Sequence, residues 1–170
     1  MATNTQPEFW LRGPVEGIPT ALMPAAHAFL QTLEDVEGAT ADLSEDQLWA
    51  RPGGVASIGF HLIHLSGSTD RLLTYARGER LNDAQKAAAR AESDPPRVDA
   101  GSLLADLRRS FEAALSQLRA TAPPSLQDAR PVGRAALPTT VLGLLFHAAE
   151  HSQRHAGQVV TTARIVRSLG

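Results

Sequence analysis

Apolar positions recur along most of this chain at alternating steps of four and three, the spacing that gathers side chains on one face of a 3.6-residue helix. Leu22, Ala26, Phe29, Leu33 and Val36 form one such stripe and predict a first helix that ends at Gly38. A second helix opens at Ser57 as its N-cap and runs to about Gly78, with Ile58, Leu62, Leu65, Leu72 and Ala76 on its buried side. A third spans Asp99 to about Thr121 and turns Leu104, Leu107, Phe111, Ala114 and Leu118 inward, and a fourth runs from Thr139 or Thr140 to about Arg167. Between the first two, Ser44 with Gln47 reads as a capping box for a short piece ending at Trp49. Prolines bound these windows: none falls in 25–51, 53–94, 97–122 or 139–170, as expected of a residue that lacks the N–H donor and clashes with the preceding helical turn. No segment alternates like a strand. The pattern predicts an all-α four-helix bundle, one domain over 1–170, with residues 1–18 as an extension and the core at about 19–167. The longer connections, from the second helix to the third and from the third to the fourth, leave room for something other than simple up-down order.

Composition narrows the chemistry. The 170 residues are 43% apolar and 20% charged, and 16 Lys+Arg against 18 Asp+Glu give a formal charge of −2. That suits one hydrophobic core and offers no basic face to nucleic acid or to an anionic membrane. No stretch has the length and apolarity of a membrane span or a secretory leader, so a cytoplasmic protein is expected. With no cysteine in the sequence, thiolate metal sites, disulfides and a cysteine nucleophile are excluded, and a metal would have to be held by His, Asp or Glu.

Six histidines are present: His27, His61, His64, His147, His151 and His155. On the last helix Leu144, His147, His151, His155, Gln158, Thr162 and Ile165 follow at steps of three and four, the positions of an inward bundle seam. Burying imidazoles without partners costs about 1–3 kcal/mol each, so a compensating partner is expected there, and a metal ion is the economical one. Two histidines four residues apart lie one turn apart on one face and can reach a single cation. A further ligand has to come from another helix, and the second offers the polar stripe Ser57, His61, His64, Ser68, Arg71 and Tyr75.

Ser57-Ile-Gly-Phe-His-Leu-Ile-His-Leu and His151-Ser-Gln-Arg-His155-Ala-Gly-Gln158 resemble the DinB-like (DinB/YfiT) superfamily of metal-binding four-helix bundles. In that family a Ser-Ile pair opens the second helix with a ligand His seven residues after the Ser, and the last helix supplies His-x-x-x-His shortly before Gly-Gln. The resemblance spans roughly Pro19 to Arg167 and is weakest between Glu79 and Val98. It implies His64, His151 and His155 as metal ligands. Where many members carry two adjacent histidines before Gly-Gln, this chain has Arg154-His155, so one ring of that pattern is absent. The resemblance also implies a homodimer and two kinds of activity, hydrolase and thiol S-transferase, the latter acting with a low-molecular-weight thiol.

A competing pattern overlaps the same helix. His147-Ala-Ala-Glu150-His151 matches H-x-x-E-H, in which both histidines bind zinc and the glutamate is general base. It lacks a recommended distal carboxylate, and Glu150 is better explained by an i,i+4 ion pair with Arg154. His147, His61 and Gln158 are then expected behind the ligands or on the pocket wall, and Arg71 either meets an anionic substrate group or forms a surface ion pair. His27 is expected at the surface or at an interface. Three neutral imidazoles leave a bound divalent metal its full charge and an open position, as in catalytic sites. Zinc or nickel is the first expectation, with iron, manganese and cobalt also compatible. The function expected is that of a metal-dependent enzyme that activates water or a thiol against a small-molecule substrate. The alternative is a non-catalytic, stress-related metal-binding homodimer that associates through Phe9-Trp10-Leu11.

Overall fold

The computed structural model describes residues 6–169 and is a four-helix bundle. Its long helices are α1 (Met23–Thr40), α3 (Ile58–Ala76), α5 (Ala100–Ala120) and α6 (Val141–Leu169), with the short α2 (Glu45–Trp49) and α4 (Asp83–Ala91) in the connections. Each of α1 and α3 packs against both α5 and α6, so α1 lies diagonal to α3 and α5 diagonal to α6. The order is thus not simple up-down. The diagonal crossings are the first connection and the long last one, while the long second connection joins neighbours.

Local chemistry accounts for most boundaries. The Ser44 and Gln47 box caps α2; Ser57 Oγ accepts from Phe60 N–H at the start of α3; Asp99 accepts from Ser102 N–H at the start of α5; and Thr140 Oγ1 accepts from Gly143 N–H at the start of α6. At the end of α3, Gly78 adopts φ 80°, and Gly78 N–H and Glu79 N–H donate to Tyr75 and Thr74 carbonyls, which is the Schellman closure that the glycine permits. Helix α1 continues two residues beyond Gly38. Thr40 Oγ1 donates back to the Val36 carbonyl, so the helix is closed by a threonine instead of by the glycine.

The core is the set of facing stripes, among them Ala26, Phe29 and Val36, then Ile58, Leu62 and Leu65, then Leu107, Phe111 and Leu118. Phe29 and Phe111 meet with ring centroids 5.0 Å apart. In α3 and α5 the buried positions are Leu73 and Leu103, with the expected Leu72 and Leu104 only partly covered. In α6 the seam departs further from expectation. Leu145, Ala148, Ser152, Ala156, Val159 and Ala163 face the core, while His151 and His155 sit half-buried beside that seam and His147, Gln158 and Ile165 are exposed. Small residues on the true seam let α6 approach α1 and α3 closely and leave the histidines at the rim.

A β-hairpin, where no strand was expected, and one short helix escape the periodicity argument. Strands β1 (Ala129–Val132) and β2 (Leu137–Thr140) form an antiparallel hairpin in which Pro131 faces Pro138. A two-stranded ribbon has two free edges and tolerates proline where a central strand would not. Helix α4 is capped by Asn82 with Gln85 and has no buried residue, so it carries no apolar stripe to read. The amino-terminal arm folds back on α1: Phe9 N–H donates to Gln31, Arg12 pairs with Glu34 at 2.7 Å, and His27 Nε2 lies 2.9 Å from the Gly13 carbonyl. Trp10 and Leu11 nevertheless point outward, 62% and 58% exposed. None of the described helices is long and apolar enough to cross a membrane.

Candidate metal centre

His64 comes from the middle of α3, and His151 and His155 from successive turns of α6. The pairing of these two helices brings one nitrogen of each ring within 4.8 Å of the other two. His64 Nε2 and His151 Nε2 are 3.0 Å apart. Two nitrogens that share a tetrahedral zinc at about 2.0–2.1 Å stand about 3.3 Å from each other, so the spacing fits a shared cation with little adjustment. The donor set is all imidazole nitrogen, and the three side chains are half-buried. A His147-His151 pair is not what the bundle assembles: His147 Nδ1 is 2.8 Å from Glu150 Oε1, and Glu150 also pairs with Arg154 at 2.8 Å. The H-x-x-E-H carboxylate is thereby engaged on the surface.

What orients these rings lies behind them. His64 Nδ1 is 2.7 Å from Glu92 Oε2, and with its proton donated to that carboxylate the Nε2 lone pair is turned toward the other rings. Glu92 is the C-cap of α4, is 8% exposed and is gripped from its other oxygen by Arg71 Nη1 at 2.6 Å. Burial alone would raise the Glu92 carboxyl, but hydrogen bonds from His64 and Arg71, with the Arg71 charge, outweigh it and hold it below the usual carboxylate range. Arg71 is therefore occupied by Glu92, in place of either a substrate anion or a surface partner. Gly67 makes room for this pair, since a Cβ there would come within 2.7 Å of Glu92 Oε1 and 2.9 Å of Arg71 Nη1.

His61 fills the matching place behind His155. It is buried, 3% exposed, with Nδ1 2.9 Å from His155 Nδ1. If His155 offers Nε2 to a cation, its Nδ1 carries the proton and donates it to His61. Burial, followed by the neighbouring His64 imidazole, pushes His61 down to about 4, so it is neutral and able to accept. Burial is also the leading cause that lowers His151 to about 4 and His155 to about 3, with neighbouring imidazoles next. His61, His151 and His155 are thus neutral at pH 7, the form in which an imidazole can accept a hydrogen bond or bind a metal. Gln158, one turn beyond His155, is exposed and makes no hydrogen bond to the three rings.

Glu92 is the residue of the candidate site that sequence reasoning missed. It lies in the segment where the family resemblance is weakest, and the local signal was the capping box at Asn82 and Gln85, which marks the start of a helix there.

A sequence profile of the DinB superfamily matches residues 28–159. The chain belongs to the DinB superfamily. Among solved structures it is similar to one described as "YfiT from Bacillus subtilis is a probable metal-dependent hydrolase with an unusual four-helix bundle topology", at a TM-score of 0.66 and 16% identity, covering 89% of this chain and 91% of that one. At that identity the likeness concerns the fold. No curated protein matches. This DinB-superfamily bundle thus presents three histidines positioned to bind a metal ion, with a carboxylate and a fourth imidazole set behind them.

Proposed function

We propose that the protein is a metal-dependent enzyme in which His64, His151 and His155 hold one divalent transition-metal ion, zinc or nickel, and that its reaction is of the hydrolase or thiol S-transferase type on a small-molecule substrate. The observation that carries this reading is the convergence of the three imidazoles within 4.8 Å together with the Glu92 carboxylate behind His64. The description of YfiT as a probable metal-dependent hydrolase agrees with it. When bound, such a cation lowers the pKa of a coordinated water or thiol and leaves it nucleophilic near neutral pH. The chain's own groups have separable tasks. His64 and His155 are fixed in tautomer and direction by Glu92 and His61, and Arg71 fixes Glu92. His147 is exposed, with its ring centroid 5.5 Å from that of His151 and its Nδ1 on Glu150, and flanks the site.

The test is elemental analysis of protein purified without a metal column or chelator, followed by turnover assays with activated esters and with thiol plus electrophile. About one metal per chain, lost in His64→Ala, with turnover lost in His151→Ala while helical circular dichroism persists, is the expected result. Absence of metal, with no rise in melting temperature on adding zinc or nickel, overturns it. The apo protein should stay folded, because the bundle core does not depend on the site and metal adds stability only by linkage. A non-catalytic homodimer is the second reading, favoured by the outward Trp10 and Leu11; metal binding without any turnover, combined with a concentration-dependent dimer lost on Trp10→Ser, would select it.

A further inference from the structure

A cleft of about 550 Å³ opens between α2, the start of α3 and the segment 93–97 that follows Glu92. Its apolar surface comes from Trp49, Ala50, Ala56, Phe60 and Pro95. Two of these rings are fixed from behind. The Trp49 indole N–H donates to the Val98 carbonyl at 3.1 Å, and the ring rests on Gly59, where a Cβ would meet it at 2.8 Å; only glycine lets it lie there. Phe60 stacks on His64 with centroids 5.6 Å apart and planes 9° from parallel. The charges of the lining cancel. Arg97 is paired with Asp46 at 2.9 Å, which leaves one group of each sign, Arg51, whose guanidinium reaches only the Val55 carbonyl among the described residues, and Asp94.

We infer that this cleft is a substrate subsite for a planar aromatic or conjugated molecule of no net charge. Rigid rings bind a flat face at low cost in ordering, because the walls are already in place, and the volume lies in the range of small-molecule sites. With one such group of each sign, the lining carries no net charge that would draw an anion or a cation in preference to a neutral molecule. The catalytic meaning rests on the metal-enzyme reading above: Phe60 belongs both to the cleft and to the stack on His64, so a molecule against Phe60 lies one ring away from a metal ligand. Binding itself does not rest on that reading.

Trp10 and Trp49 are the two tryptophans of the chain, so Trp10→Phe leaves Trp49 as the only indole reporter. Zinc-loaded Trp10→Phe protein is titrated with dinitrotoluene, a neutral planar quencher, and with dinitrobenzoate, its anionic counterpart. Saturable quenching by dinitrotoluene is expected, about tenfold weaker in Phe60→Leu. Ala56→Phe, which fills the cleft without touching the stack on His64, should weaken it similarly. The same titration in His155→Ala separates the two readings: saturable quenching in protein that binds no zinc supports the subsite, whatever becomes of the metal reading. Quenching that stays linear in probe, or that is unchanged in both cleft variants, overturns the subsite. Equal or tighter binding of dinitrobenzoate overturns the ligand class.

Discussion

Glu92→Gln is the substitution that asks most of the proposed centre. It keeps an oxygen that can accept from His64 Nδ1 and removes the charge that both His64 and Arg71 face at 2.7 and 2.6 Å. Two effects should separate. Loss of the carboxylate behind a ligand histidine typically costs about 10–100-fold in metal affinity, or about 1.4–2.7 kcal/mol. Arg71, whose side chain is only 15% exposed, would be left partly buried without a counter-charge; removing one member of a buried pair costs about 3–5 kcal/mol, toward the low end here because both groups keep some solvent. Zinc affinity is read by competition with a chromogenic chelator and apo stability by urea unfolding, and Arg71→Met in the Glu92→Gln background should recover part of the stability without recovering affinity. A Glu92→Gln protein that binds zinc as tightly as the parent, with an unchanged urea midpoint, would refute the claim that this carboxylate orients His64 and balances Arg71.

The two registers on α6 are distinguished by paired variants: His155→Ala should abolish tight zinc binding, whereas His147→Ala should cost at most about 10–100-fold, and the reverse ranking by calorimetric titration would move the site to His147 and Glu150. Acid should weaken the apo fold in a defined window. His61, His151 and His155 are held at about 4, 4 and 3, below the ordinary value of about 6.5, so between those limits the unfolded chain binds protons that the folded chain refuses, and stability falls as pH drops. Glu92, held below its usual range, adds stability that is present above its unfolded value and lost as pH falls through its folded one. Melting temperatures from pH 7.5 to 5 should therefore decline, less steeply in His155→Ala; a flat profile would contradict the burial of these rings.

The helices, their caps and the identity of the converging rings were legible in the sequence because they follow from local rules: a 3.6-residue stripe, a side-chain oxygen three residues before an N–H, and imidazoles four residues apart. Ser57, Asp99 and the box at Ser44 each sit where the capping rule places them. Two neighbouring stripes on α6 both had helical spacing, however, and periodicity alone could not say which was the core; the small side chains Ala148, Ser152 and Ala156 won because they allow close helix approach, and the histidines were left at the rim. The partners behind the ligands depend on contacts between residues remote in sequence. Glu92 reaches His64 across 28 positions and His61 reaches His155 across 94, through a polar surface helix with no apolar pattern and through the packing of α3 on α6. The sequence by itself therefore determined the four long helices and singled out the histidines they carry, while the tertiary structure decided which of them meet, how deeply they are buried and which groups hold them in direction, because those depend on the docking of whole helices and not on any local spacing.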